Sequence, residues 1–420
     1  MFFLRLLIVV ILVVFSGAVN GRVITVDDDG VADFNTIQAA VEDANDGDSI
    51  LVEAGTYGEC LYISKDINLE AALPGEAEIV CAEANDWLVT CDGCSFGIYG
   101  FLINASEPNQ GGVKVVSGNA TIKNNTITES VKGVYLTGSA GLIEGNRIMG
   151  NHEGVYGEGC QVTIKNNVIA NNEGDGIHLY DSNSTISNNT IFANAGGGIA
   201  CYAGPGFEHV IYNNIIVQND VGIFGLSETS IPAPGFMDIA YNNLYGNEAD
   251  YLSKFSGVSG PIGGAYYTTQ PFAPAPGIGE IGVDPLFYDS NSGDFHLKSI
   301  QWRWSDANSV WTWDLVTSRC MDAGNPGCET SSEPLDHLKN RINMGAYGGT
   351  DKASVPPYLW AILSDINNDG IVNLSDFNCQ QSWYEIDGMA NAGDLDGDSV
   401  VDSNDLGQLC EQWLDKTAWY

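Results

Sequence analysis

Five stretches from the middle of the chain, ATIKNNTITES, GLIEGNRIMGN, VTIKNNVIANN, STISNNTIFAN and HVIYNNIIVQN, fall into one register. Asn125, Asn146, Asn167, Asn189 and Asn214 share a column, at spacings of 21, 21, 22 and 25 residues. A period of this size points to a stacked repeat before any other feature is consulted. Three apolar columns accompany it: Ile122, Ile143, Ile164, Ile186 and Ile211; Ile127, Ile148, Ile169, Ile191 and Ile216; and Val134, Val155, Ile177, Ile199 and Ile223. Each lies in a short β-branched stretch with alternating neighbours, which is strand periodicity. Three short strands cannot bury their apolar sides alone. Stacking does so, because each strand pairs in parallel with its equivalent one repeat later, about 4.8 Å away.

The pattern predicts an all-β fold, a three-sheet right-handed parallel β-helix. A leucine-rich repeat would need Leu at another spacing and a helix in every unit. The Asn column is expected at a corner in left-handed backbone, with amides bonded up the stack. Asn151, Asn172, Asn194 and Asn219 mark a second corner, and Gly133, Gly154, Gly176, Gly198 and Gly222 mark the last. Matches to Asn-x-Ser/Thr, such as Asn188-Asn189-Thr190, read as ladder residues rather than glycosylation sites.

An open stack exposes strand edges that invite aggregation. In ADFNTIQAAVEDANDGDSILVEAGTY, Asn35 is expected to cap a helix with Gln38 as its capping-box partner; Ile37, Val41 and Ala44 form one apolar face. That helix is expected to plug the first coil. The longer stretch ITVDDDGVADFNTIQAAVEDANDGDSILVEAGTY resembles the opening of pectin-lyase-like β-helix proteins, and the repeats resemble their carbohydrate-associated coils, over roughly residues 22 to 350. INMGAYGGT resembles the closing stretch of secreted bacterial β-helix proteins. Order is lost between about Leu226 and Gly282, where a Gly-, Pro- and aromatic-rich loop is expected to wall a binding face.

A formal net charge of −38 with only 16 Lys and Arg residues argues against nucleic acid or anionic membrane as a partner. Divalent cations are the natural counterions. Residues 1–21 read as a signal peptide: Arg5, an apolar run from Leu6 shorter than the roughly 20 residues a span needs, then Ser16, Gly17 and Ala18. The expected location is therefore secreted or cell-surface, with no membrane span after cleavage. Ten cysteines suit an oxidising compartment. Cys60 and Cys81 would be neighbours one coil apart and could pair, whereas Cys91 and Cys94 read as a local disulfide or two free thiols. Cys201 is expected to be buried and inert, Cys320 to close a loop with Cys328, and Cys379 to lie where it could be joined to Cys410.

The boundaries expected are 1–21 signal peptide, 22–352 β-helix, 353–360 linker and 361–420 a small α-helical calcium-binding domain. In the last, Asp365, Asn367, Asp369, Ile371 (by its carbonyl), Asn373 and Asp376 fill positions 1, 3, 5, 7, 9 and 12 of a calcium loop, with Gly370 at the sharp turn. Asp394, Asp396, Asp398, Val400 (by its carbonyl), Asp402 and Asp405 form a second loop with Ser399 in place of Gly, so weaker affinity is expected there. Calcium, Ca2+, is the implied cofactor. Two such loops, each closed by Asp and followed by a helix, resemble a type I dockerin. The resemblance implies docking to a cohesin-like scaffold protein, with Leu374, Ser375, Ser403 and Asn404 at the partner-contacting positions.

Outward residues of the third strand stack as Tyr135, Tyr156 and His178, then Ala200 and Phe224. Flat rings along a solenoid suit polysaccharide, since sugar C–H faces are apolar. Asp175, His178 and Asp181 are the catalytic candidates, with Glu153 and Glu158 one coil earlier; two carboxylates about 5 to 9 Å apart could hydrolyse a glycosidic bond. A lyase would instead need an Arg or Lys base. Lys123, Glu144 and Lys165 read as a surface charge ladder, and Arg147 stands alone. QWRWSDANSVWTWD reads as a hairpin with paired tryptophans. Two functions follow: a secreted hydrolase or lyase acting on polysaccharide, or a non-catalytic cell-surface or matrix protein that binds it.

Overall fold

The computed structural model describes residues 21–83, 86–107, 109–203, 206–227, 237–255, 276–334, 341–381, 392–396, 398 and 400–420. The signal-peptide reading, most of the loop between Leu226 and Gly282, and Ser399 lie outside the described residues.

From Ser49 onward the chain cycles through three parallel sheets. The first has 10 strands, from Val23–Val26 to Met237–Ala240; the second has 9, from Gly55–Gly58 to Asn243–Tyr245; the third has 9, from Leu61–Ile63 to Ala249–Phe255. The three apolar columns stack in the expected register. Ile122, Ile143, Ile164, Ile186 and Ile211 are successive partners in the first sheet. The Ile127 and Val134 columns do the same in the second and third. Every one of these side chains is fully buried.

Buried corners must satisfy their backbone polar groups, and the Asn column does this. Asn167 Oδ1 accepts from both the backbone N–H and the side-chain amide of Asn146, while Asn167 Nδ2 donates to the carbonyls of Ile143 and Lys165 and to Asn189 Oδ1. The pattern repeats from Asn125 to Asn242, and a second ladder runs from Asn151 through Asn172, Asn194 and Asn219 to Asn247.

The left-handed backbone, however, belongs to the residue before each ladder Asn: Asn124, Gly145, Asn166, Asn188, Asn213 and Tyr241 at one corner, and Glu129, Gly150, Asn171, Ala193, Gln218 and Gly246 at the other, all with φ between 51 and 69°. Asn188, the first residue of the Asn-x-Thr match, is therefore not in the ladder; it is buried and its amide donates to Asn343 O. The glycine column before the third strand also has a different cause. A Cβ on Gly154 would stand 2.3 Å from Gly176 O and 2.9 Å from Ile169, so close approach of successive coils excludes a side chain.

A carboxylate ends the first ladder. Glu280 Oε1 accepts from the Asn242 N–H and side-chain amide, and Oε2 accepts from Tyr251 Oη at 2.5 Å. Burial pushes the Glu280 carboxyl up to about 7.

The second sheet is covered on its outer face. Val168, Ala170, Phe192, Ile215 and Val217 pack under Phe295, Leu297, Met344 and Ala346. Asn166 and Asn188 clip the cover by donating to the carbonyls of Ala346, Gly348 and Asn343. Arg147 donates to Gly293 O, so it is a tie to this cover rather than an isolated base.

At the N-terminal end, helix α1 (Ile37–Asp43) buries Ile37, Ala40 and Val41 against the first coils. Its N-cap is Thr36, not Asn35, and no capping box forms. The Glu59 carboxylate, one coil on, takes the Ile37 and Gln38 N–H groups instead, and the Gln38 side chain pairs with the Tyr62 backbone. Cys60 and Cys81 form a disulfide.

Residues 353–360, read from sequence as a linker, are held against the solenoid. Ala353, Ser354 and Val355 are buried, Val355 pairs with Trp302, and Trp360 Nε1 donates to Ser318 O. Helices α2 (Leu374–Gln381) and α3 (Ser403–Glu411) follow.

Two outcomes test this account. Replacing Asn167 by Ala strands the buried Asn146 N–H and takes a donor from the buried Ile143 carbonyl, and should cost about 2 to 4 kcal/mol in equilibrium denaturation. Glu280 has a folded pKa above its ordinary 4.5, so the stability it confers is complete below pH 4.5 and is lost as pH rises through about 7. Glu280→Gln keeps both sets of hydrogen bonds and should remove that loss, about 2 kcal/mol after allowance for partial exposure, seen as a flatter stability profile than wild type between pH 4.5 and 8.

Candidate functional site

The third sheet is the solenoid face on which side chains with chemistry gather. Tyr135, Tyr156, His178, Ala200 and Phe224 are successive outward partners. Their rings follow one another because strands in a sheet sit about 4.8 Å apart. Tyr135 and Tyr156 meet edge-to-face at 5.5 Å, and Tyr156 stacks on His178 at 4.7 Å.

The gap over Ala200 is filled from the neighbouring outward column. Tyr202 leans across to stack on His178 at 4.6 Å and meets Phe224 at 5.5 Å. At the other end Trp87, lying over Gly111, stacks on Tyr135 at 5.6 Å. The row is thus longer than the sequence reading had it. Tyr202, two residues beyond Ala200 on an alternating strand, was legible as a same-face neighbour. Lys132 Nζ lies 3.3 Å from the Tyr156 ring centroid and 4.7 Å from that of Tyr135.

Beside the rings runs a charged column in which Lys132 and Glu153 are register partners. Ligand atoms of Glu153, Asp175 and His178 converge within 4.8 Å of one another. His178 Nδ1 and Asp175 Oδ2 are 2.8 Å apart, Asp175 Oδ1 accepts from the Gly197 N–H, and Glu153 Oε2 accepts from the Asp175 N–H. Burial, then the charge of Asp175, pushes the Glu153 carboxyl up. An Asp holding one imidazole nitrogen fixes the ring orientation and leaves the other nitrogen for proton transfer. Both oxygens of Asp175 already serve the fold, so it is a positioning group and not a free acid.

Asp181 does not join this cluster. It is the turn residue after the strand, with φ 45°, in the corner column shared with Gly138 and Gly159, and Glu153 takes the place the sequence reading gave it. Glu158 accepts from Tyr135 Oη. Lys123, Glu144 and Lys165 form the expected surface ladder, at 3.1 and 3.3 Å.

The two acidic loops repeat one hydrogen-bond plan. Asp376 accepts from the N–H groups of Asn367 and Asn373, and Asp365 from those of Asp369 and Gly370. In the second loop Asp405 accepts from Asp396 and Asp402, and Asp394 from Asp398. Gly370 has φ 94°. Carboxylate oxygens of Asp365, Asp369 and Asp376 converge within 4.8 Å, as do those of Asp394, Asp396 and Asp405. Asp365, Asp376 and Asp405 are buried, and burial raises Asp365 to about 6 and moves Asp376 upward. Such hard oxygen donors suit calcium. Asn373 and Asp402 stand at the starts of helices α2 and α3, where they accept from the Ser375 and Asn404 N–H groups. The Ile371 carbonyl accepts from Asn373 Nδ2, and Val400 donates to Asp398.

The tryptophan hairpin forms as read: Trp304 and Trp311 are partners at 5.5 Å, while Trp302 and Trp313 are exposed. Cys201 is fully buried, and burial drives its thiol pKa up. Cys91 and Cys94 are adjacent thiols, and neither Cys320 with Cys328 nor Cys379 with Cys410 forms a disulfide.

A family model described as a right-handed β-helix region matches residues 89–248. The solenoid is a right-handed parallel β-helix. A second family model, described as disaggregatase related, matches residues 183–324. Among solved structures, the right-handed β-helix is similar to pectate lyase Pel9A, at 15% identity over 79% of this chain and 97% of that one with a TM-score of 0.45. It is also similar to the polygalacturonase from Erwinia carotovora ssp. carotovora, at 14% identity over 58% of this chain and 85% of that one with a TM-score of 0.39. No curated relative matches the chain.

Proposed function

We propose that this β-helix is a secreted or cell-surface protein that binds polysaccharide along its third sheet and is anchored by a calcium-folded, dockerin-like module at residues 361–420. The observation that carries the reading is the row Trp87, Tyr135, Tyr156, His178, Tyr202 and Phe224, consecutive rings on one solenoid face. All six side chains are only partly buried. A protein that needed these rings only for stability would bury them; left at the surface they offer apolar faces to sugar rings, with Lys132, Glu153 and Glu158 beside them for hydroxyls.

Calcium is held, in this reading, by Asp365, Asn367, Asp369, the Ile371 carbonyl, Asn373 and Asp376, and by Asp394, Asp396, Asp398, the Val400 carbonyl, Asp402 and Asp405. It supplies the countercharge that lets buried carboxylates stay ionised. The module's partner is a cohesin-like scaffold protein. Helix α1 serves as the plug of the first coil, keeping its strand edges from pairing with another chain.

A second reading rests on the Asp175 and His178 contact: the same face degrades the glycan, with His178 moving the proton and Glu153, raised by burial, as the neighbouring acid.

Binding to a panel of neutral and acidic polysaccharides, measured by affinity electrophoresis and calorimetry, tests the proposal. Tyr156→Ala and Tyr202→Ala should each weaken binding about tenfold. Equal binding by both variants would remove the face from consideration. Product release that disappears in His178→Ala while binding persists selects the degradative reading, and binding without products selects the non-catalytic one.

A further inference from the structure

We infer that a cation in the first acidic loop, Asp365 to Asp376, locks the C-terminal end of the solenoid, so that the loop is a metal-dependent clasp on the β-helix. The inference rests on the calcium reading above and extends it from the module to the solenoid.

Three contacts tie the loop to the last coils. Arg341 is fully buried, and its guanidinium reaches the carbonyls of Gly324, Ala323 and, on the loop itself, Asp365 at 2.8, 3.2 and 2.5 Å. Asn368, inside the loop with φ 60°, donates its amide to the carbonyls of Gly279 and Ala323. Tyr241, the fully buried left-handed corner residue before the last ladder Asn, donates its hydroxyl to Ile366 O at 3.0 Å. Val372, Ile366 and Leu395 share one apolar cluster with Val168, Ile215 and Tyr241 of the solenoid.

The charges make the clasp conditional on an ion. Among the described residues Arg341 makes no short ion pair; its hydrogen bonds go to carbonyls, and the groups that act on it by charge are Tyr241, Asp365, Asp322 and Asp376. Asp365, Asp369 and Asp376 with no cation leave a surplus of negative charge around one guanidinium. With a divalent ion, the formal charge of those three carboxylates, Asp322 and Arg341 falls from −3 to −1. A buried group of charges persists only when it is balanced. Loss of the ion therefore acts on Asp365 and, through its carbonyl, on Arg341 and the coil carrying Tyr241. The hydrogen bonds to Gly279, Ala323 and Tyr241 come from the first loop, while the second loop meets the apolar cluster through Leu395.

The test uses the full chain, with calcium chloride as the probe against a chelator. Calcium binding is measured by calorimetry, unfolding by the β-sheet circular dichroism signal, and amide exchange by mass spectrometry on peptides spanning Ile239 to Tyr245. Calcium should raise the unfolding midpoint of the solenoid by about 5 °C and slow exchange in those peptides at least tenfold. Asp376→Asn should abolish both effects. Asp405→Asn, in the second loop, should lower the calcium stoichiometry and leave both effects in place. Tyr241→Phe, which keeps the ring and removes one contact, should reduce the exchange effect while calcium still binds. Calcium bound with no change in midpoint or exchange would overturn the clasp. No calcium bound by wild type would overturn the calcium reading beneath it.

Discussion

The hydrogen bonds of the Asn ladders fix everything else in this molecule. At each corner the chain turns sharply and its buried N–H and C=O groups lose their strand partners. From Asn125 to Asn242 an Asn amide in each coil replaces them, accepting from the coil before and donating to carbonyls at the same corner. Neither Gln nor Asp would serve: Gln is one methylene too long for a corner where the residue before it is already in left-handed backbone, and ionised Asp has no donor. Because every coil is bound to the next at this point, loop insertions are pushed elsewhere. The chain absorbs spacings from 21 to 28 residues between ladder positions without losing register.

From that register follows the outer face. Strand spacing sets the distance between side chains in a column, and 4.8 Å is also a comfortable separation for stacked or edge-on rings. Tyr135, Tyr156 and His178 therefore line up without any further device. The row is extended from neighbouring columns at two interruptions, by Tyr202 at Ala200 and by Trp87 at Lys114. The same arithmetic puts Glu153 beside Asp175, carboxylates one coil apart whose repulsion is tolerated because Asp175 is committed to His178 and to the Gly197 N–H. Tyr156 and Tyr202 stack on the two faces of the His178 imidazole, so only its edge is left open.

Columns such as Ile148 over Ile169 were legible in the sequence because they are periodic, and the acidic loops because the hydrogen bonds that their carboxylates accept are local. The cap of α1 was not, since Glu59 arrives from the next coil and no local motif announces it. The left-handed corners were displaced by one residue, because the doubled Asn-Asn hides two tasks: the first, as in Asn188, is left-handed and clips the cover, and the second, as in Asn189, builds the ladder. The cover itself left a sign that went unused. Strands such as Ile215–Val217 are apolar on both sides, the mark of a sheet buried on both faces.

A ladder has ends, and each end must be satisfied by something other than another Asn. At the start, Asn125 accepts from the N–H of Phe101, which carries no side-chain amide of its own. At the finish, the amide of Asn242 meets no further Asn, and Glu280 stands in, held in turn by Tyr251. One residue before that Asn, Tyr241 points to the acidic loop. The last corner is therefore bounded on one side by a carboxylate that prefers its proton and on the other by the acidic loop, which on the proposed calcium reading needs a cation. Raising pH ionises the first and so acts on the coil that carries Asn242. The coils further in are joined by a stack of fully buried isoleucines, and in a stacked repeat an end coil, with a neighbour on one side, is the one least held.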